Sequence, residues 1–481
     1  MKDKHPTESP LSRRSLLKGA LLASSAGLVL AGAESCAGSL STSSPLSTSS
    51  TPSTSSAAHP TRGAAALRES LLDFLARQPI IDAHEHLVPE RDRVARRVDV
   101  LTLLAQYIYA DTIATGTYPT VPGEGMSAYN FFLDTRVPYE RRWAKAWPHL
   151  QYVKHGSYYR AAKIALKEFY GIDDLTDHNH REATERIRAA NQPGLYHKVL
   201  VDKCRIRACL VQNNAILNQD PADLFIPVTL STRTAVDCGN RDFLTLLEKK
   251  YQTSIKDLDG YFECLGRLMR EEHAQGAVGA KINAAPNAAP DLAAARRSFK
   301  AFLGGQSADV ALRSIVMEYV ICRSGELGWP VAVHTGVWGD FRQMDPKLMI
   351  EQIQRHPEVH FDLYHLGFPY VRDSIFIAKS CPNATLNLCW TYIISPEATR
   401  QAIGEILDAL PVNKIIAFGG DYGWNVENVF GHLTMARETL AEAFAERIAR
   451  GLMDEDAARG ILKLWLWDTP RRIYGLKNQG S

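Results

Sequence analysis

The stretch "PIIDAHEHLVPE", Pro79 to Glu90, decides how the rest of the chain is read. Its apolar start, Pro79-Ile80-Ile81, runs into Asp82-Ala83-His84-Glu85-His86, so two histidines sit one residue apart where a short buried strand ends. Along a strand side chains alternate faces, and residues two apart share one. His84 and His86 therefore point together and Glu85 points away. Two imidazoles on one face make a bidentate seat that suits zinc, iron or nickel. Taken alone the pair reads equally well as loop histidines with ordinary hydrogen bonds. The other strand ends decide between the two.

Outward from this strand, the pattern alternates short apolar runs with longer helical stretches. Eight runs read as strands: "PIIDA" at Pro79, "IRACLVQ" at Ile206, "LFIPVTL" at Leu224, "AVGAKI" at Ala277, "PVAVH" at Pro330, "VHFDLYH" at Val359, "ATLNLC" at Ala384 and "KIIAFGGD" at Lys414. Continuous apolar runs are what parallel strands buried on both faces require. Helical segments separate most of them; in "SPEATRQAIGEILDALP", Ser395 can cap and Pro396 fits the first turn. A βα repeat with eight strands predicts an α/β fold, a (β/α)₈ TIM barrel over residues 63–478. Residues 90–200, between strands one and two, are rich in Tyr, Trp, Arg and helix formers and predict a helical insertion over the barrel mouth. Leu433, Ala436, Leu440, Phe444 and Ile448 recur at helical spacing and predict a core-facing stripe.

In such a barrel the C-terminal strand ends converge on one mouth. Strand one ends in His84 and His86, strand four in Lys281, strand five in His334, strand six in His365 and strand eight in Asp421. Each has a plain reading: a strand-end histidine can be a hydrogen-bonded structural residue, and an aspartate after Gly419-Gly420 a turn residue. Together they predict a divalent-metal site.

From about Pro79 to Leu476 the chain resembles the amidohydrolase superfamily, in particular its amidohydrolase-related branch of hydrolases and non-oxidative decarboxylases. The motifs that carry the resemblance are Asp82-Ala83-His84-Glu85-His86, Val333-His334-Thr335-Gly336, Tyr364-His365-Leu366-Gly367, Gly419-Gly420-Asp421 and the ending Arg471-Arg472-Ile473-Tyr474-Gly475-Leu476. The resemblance implies that His84, His86 and His334 supply nitrogen ligands and Asp421 a carboxylate. A divalent metal, zinc first, would then activate a water whose proton Asp421 accepts. His365 would polarise the substrate or shuttle a proton. One ion is expected, or two if Lys281 is carboxylated and bridges them; otherwise Lys281 contacts substrate or a neighbouring carboxylate.

The strand-end loops set specificity. Trp338 and Arg342 follow His334, and Trp390 and Tyr392 follow strand seven. Arg342 reads either as a fork for a substrate carboxylate or as a solvated arginine, and the aromatic residues either as a ring-binding face or as packing for the insertion. The leading expectation is hydrolysis of a C–N or C–O bond in a small molecule. Decarboxylation, with Arg342 holding a carboxylate, is the alternative, and a uronate-isomerase-like activity or a non-catalytic metal protein stands further off.

The chain has 481 residues and a formal charge of +2, which gives no electrostatic reason to expect nucleic acid as partner. Residues 1–36 read as an export signal: Ser12-Arg13-Arg14-Ser15-Leu16-Leu17-Lys18 resembles the twin-arginine type, a mild apolar run follows, and Ala31-Gly32-Ala33 fits cleavage. A Sec signal that carries two arginines is the alternative. Cys36 before a Ser/Thr/Pro-rich tether, 37–62, resembles a lipoprotein start, although Glu34 departs from the lipobox. The expected location is periplasmic or cell-surface, with a lipid anchor and homo-oligomerisation left open. The tether cannot build a core. None of the eight cysteines forms a C-x-x-C pair, and they are expected to be small buried residues rather than ligands.

Overall fold

The structure is a computed structural model that describes residues 63–116, 128–212, 224–238, 241–337 and 339–477. The export signal, the tether and Trp338 lie outside the described residues.

All eight expected strands form: β1 (Ile80–Glu85), β2 (Ile206–Val211), β3 (Phe225–Pro227), β4 (Ala280–Asn283), β5 (Val331–His334), β6 (Phe361–Leu363), β7 (Ala384–Asn387) and β8 (Ile415–Ile416). Neighbours pair in parallel and in chain order, β1 to β3 and β4 to β8. Two seams link these arcs. The bridge between Thr229 and Ala280 joins the end of β3 to β4. On the other side the Ala83 amide donates to the Phe418 carbonyl (3.0 Å) and the Asp421 amide to the His84 carbonyl (2.8 Å). The architecture is a (β/α)₈ TIM barrel with a helical insertion between β1 and β2.

The barrel interior is filled by Ile81, Ala83, Leu210, Val228, Ala332, Tyr364 and Ile416. The closing segment seals its floor. The Tyr474 hydroxyl donates to Asp362 (2.7 Å) and lies 3.1 Å from the Tyr364 hydroxyl, while Asn387 donates to the same Asp362 oxygen (3.0 Å). The two donors share Asp362 Oδ2, while Asp362 Oδ1 is buried without a hydrogen-bond partner. Ser395 caps its helix by accepting from the Ala398 amide, with Pro396 in the first turn. Leu433, Ala436, Leu440 and Phe444 are buried along the helix Glu427–Ala449, and Ile448 is half-buried.

The insertion has its own core, in which Leu101, Leu104, Phe132, Trp143, Leu150 and Leu166 pack together. Each fully buried side chain of this size contributes about 1.5–3 kcal/mol, enough to hold short helices that could not persist alone. The insertion is fastened to the barrel by the buried Arg93–Glu427 pair (2.8 Å) and by Ser157, whose hydroxyl donates to the Ile393 carbonyl (2.6 Å).

Candidate metal centre

Asp421 owes its place to the two glycines before it. A Cβ on Gly420 would lie 1.9 Å from Glu85 Oε1, and one on Gly419 2.8 Å from the Cβ of His84. Only glycine lets the end of β8 approach β1 this closely. Asp421 follows at φ 63°, a left-handed conformation that aspartate tolerates better than most residues. Its carbonyl accepts from Gln106 Nε2 (2.5 Å) and from the Tyr107 hydroxyl, both on the insertion. His365 (φ 62°) and Trp390 (φ 66°) share this strained geometry, which clusters at functional sites.

The result is a convergence of three side chains. Asp421 Oδ1 lies 3.2 Å from His84 Nε2 and 3.5 Å from His86 Nε2. The three can offer ligand atoms within 4.8 Å of one another. Both ring nitrogens of His84 are buried and make no hydrogen bond. His86 is oriented through Nδ1, 3.3 Å from the Gln212 carbonyl, the usual way an imidazole is aimed at a metal. Burial lowers the pKa of His84 well below the usual histidine range and lowers that of His86 as well. Both rings are therefore neutral, with lone pairs to give. Burial raises the Asp421 carboxyl, against the pull of His86 and Lys281.

His334 and His365 form a second pair beside this triad. His365 Nε2 lies 3.0 Å from His334 Nδ1, and the remaining His334 nitrogen lies 3.0 Å from the Val337 carbonyl. His334 thus lines the same cavity while both its nitrogens face partners outside the triad. Burial depresses it to about 3 and takes His365 well below the usual range.

The other sequence-derived candidates divide. Lys281 is buried with no hydrogen-bond partner for Nζ, which sits 4.1 Å above the Tyr364 ring; burial lowers it to about 7. Trp390 stacks on Tyr107 (4.9 Å between centroids) and meets His365 edge-on (5.2 Å), so it packs the insertion against the barrel behind the site. Tyr392 is buried and donates to the Ala417 carbonyl (2.8 Å). Arg342 is not brought to the site. Its side chain is 78% exposed and forks onto Asp340 (2.7 and 2.8 Å) two residues away.

Four features were not read from the sequence. Glu85, which points away from the ligands, accepts from the Tyr422 amide (2.6 Å), and Asp82 accepts from the amides of His84 and Gly420 (both 3.2 Å). These two carboxyls pin the β8 turn; burial raises Asp82 to about 7 and Glu85 well above the carboxylate range. Acidic residues inside an apolar run were the available signal. Cys389, just past β7, lies 3.4 Å from His365 Nδ1 and can share a ligand cluster with His84 and His365. Gln106, Tyr107 and Tyr109 of the insertion line the cavity, and so does Arg233 from the helix after β3. The cavity has a volume of about 700 Å³ and also exposes His86, His334, Asn283, Met344, Asp421 and Trp424.

Known proteins share the fold of this chain. The amidohydrolase family model matches residues 263–476. Protein fluG of Emericella nidulans is 25% identical over 161 residues, which is 31% of this chain and 18% of that protein's length. Among solved structures, the uronate isomerase of Thermotoga maritima superposes with a TM-score of 0.70 at 15% identity, over 85% of this chain and 97% of that one. The glucuronate isomerase of Caulobacter crescentus gives 0.69 at 15% identity, over 88% and 96%. A protein from Lactobacillus casei described as a metal-dependent hydrolase gives 0.59 at 15% identity, over 85% and 99%.

Proposed function

Because residues 263–476 of this barrel belong to the amidohydrolase family, we propose that the chain is a metal-dependent hydrolase that cleaves a C–N or C–O bond of a small molecule. The observation that carries the reading is His84, with two buried ring nitrogens and no hydrogen bond, set against His86 and a buried carboxylate. Leaving such nitrogens bare costs about 1–3 kcal/mol each unless a partner arrives. Two neutral imidazoles and a carboxylate fit one divalent ion, zinc first, which when bound lowers the pKa of a water from 15.7 toward about 7. One ion is the expectation; a second would need Lys281, whose Nζ lies 4.1 Å above the Tyr364 ring, to be carboxylated.

The chain's own groups then have assignable work. Asp421 accepts the proton of the attacking water. The same carboxyl can then return that proton to the leaving group, so one residue closes the proton account. Tyr107 and Gln106 hold the Asp421 backbone, so the insertion fixes the angle of the carboxylate.

A second reading, sugar-acid isomerisation, draws support from the similarity to the Thermotoga uronate isomerase, which spans 97% of that chain. Decarboxylation loses Arg342 as its anchor, since that side chain forks onto Asp340. Turnover of ester, lactone, amide and uronate panels in ¹⁸O-water by metal-loaded protein tests the proposal. Label in the product of a cleaved substrate is expected; uronate interconversion with no cleavage anywhere in the panel would favour the second reading. We also propose export by the twin-arginine route. Replacing Arg13-Arg14 with Lys-Lys should trap the precursor inside the cell, and undiminished export would mean a Sec signal.

A further inference from the structure

The cavity contains a cation that the hydrolytic reading leaves idle. Arg233 lies on the helix Ser231–Asp237, which starts directly after β3. Buried bonds hold that helix in register. The Thr232 hydroxyl donates to the Lys281 carbonyl (2.7 Å), tying the helix to β4. Glu272 accepts from both Thr229 (2.7 Å) and Ser231 (2.6 Å), tying its first turn to a second helix. The arginine therefore starts from a fixed base. Its side chain is 42% exposed and its nearest acidic partner, Asp237 on the same helix, stands 3.4 Å from Nε. This is a looser pair than the double fork that occupies Arg342 at 2.7 and 2.8 Å.

The surroundings of Arg233 fit a bound anion. It shares the cavity with His86, His334 and Asp421 at the metal centre, with Asn283 beside them and Tyr107 and Trp424 on the walls. Among the described lining residues Asp421 is the only carboxylate and Arg233 the only arginine or lysine. A volume of about 700 Å³ suits a molecule of one or two rings. A guanidinium at one place and the ligand cluster at another read as two fixed points on one substrate. A carboxylate is held by a planar guanidinium through paired hydrogen bonds.

Resting on the placement of the reaction at the His84–His86–Asp421 cluster, we infer that the substrate is a small carboxylic acid whose carboxylate is bound by Arg233, away from the bond that reacts. Arg233 is a specificity residue, and it takes the part that the sequence suggested for Arg342.

The test compares acids with their uncharged twins. Glucuronate and phenylacetate, each paired with its primary amide, are titrated calorimetrically into metal-loaded full-length protein. An acid should bind at least about tenfold more tightly than its amide, the scale of one charge-assisted pair. Arg233→Gln should erase that preference with metal content and melting temperature unchanged, and Arg233→Lys should restore part of it. His86→Ala separates this inference from the metal reading: an acid preference that survives in that variant supports Arg233 even if the cluster binds no metal. Equal binding of acids and amides, no binding of either acid, or a preference that persists in Arg233→Gln would overturn the inference. A preference lost in His86→Ala but kept in Arg233→Gln would place the carboxylate on the metal and likewise overturn it.

Discussion

Among the described residues, two clusters of three potential ligands combine a histidine with a carboxylate, and they differ in what their atoms lack. One is His84, His86 and Asp421 at the barrel mouth. The other is Glu318, Cys322 and His356, formed where the helix Val310–Leu327 meets the end of the helix Ile350–Arg355. In the second, His356 Nε2 lies 3.1 Å from Glu318 Oε1, and Arg355 fills the other Glu318 oxygen at 3.0 Å. Charge and hydrogen bonds are met within the cluster, and an arginine stands where a cation would have to sit. At the mouth, both His84 nitrogens are buried and make no hydrogen bond, Nε2 facing Asp421 Oδ1 at 3.2 Å and Nδ1 facing no partner. Proximity of ligand types is thus common to both clusters, and unmet bonding capacity belongs to one.

The sharpest way to break this comparison is to delete one histidine from each cluster. His86→Ala should abolish stoichiometric metal binding and bring turnover to background. His356→Ala should leave metal per chain untouched and lower stability by about 1–3 kcal/mol, the cost of a buried charged group left without its bond. Elemental analysis and denaturant melts of both proteins read the two effects. Metal loss in His356→Ala, or full retention in His86→Ala, would reverse the assignment of the clusters.

A smaller effect is expected at Asp421, because asparagine keeps the shape and an oxygen ligand. Asp421→Asn should hold much of its metal yet lose two to four orders of magnitude in turnover, roughly the scale of a missing general base. Near-normal turnover would remove Asp421 from the proposed proton chemistry.

These differences explain what could be read in the sequence. Eight apolar runs between helical stretches give a barrel because strands buried on both faces have little freedom in composition. His84 and His86 share a face through strand periodicity alone. The family resemblance puts His334 among the ligands, but which way a strand-end imidazole turns depends on its neighbours, and His365 and the Val337 carbonyl engage both its nitrogens. Arg342 and Arg233 make the same point on the loops. Both follow a strand end, and only the fold shows that Asp340 occupies one while the other faces the cavity. Tyr107 and Gln106 belong to an insertion with no matching motif, so their bonds to Asp421 had no local signal.

The finest test of the comparison is its pH dependence. In the second cluster burial pushes the Glu318 carboxyl up, but the bond and charge of His356 with the charge of Arg355 outweigh it, and the net pKa is lowered. A carboxyl whose pKa is lower folded than unfolded adds stability that is fully present above the unfolded value, about 4.3. That stability fades as pH falls through the folded value, where both states bind the proton. Metal-free wild type and Glu318→Gln, melted in parallel from pH 7 to pH 3, should therefore differ by a constant amount above about pH 5 and converge below it. A gap that stays constant to pH 3 would mean that Glu318 gains nothing from its partners. The cluster would then be as unsatisfied as the one at the mouth, and bonding capacity could no longer be what distinguishes them.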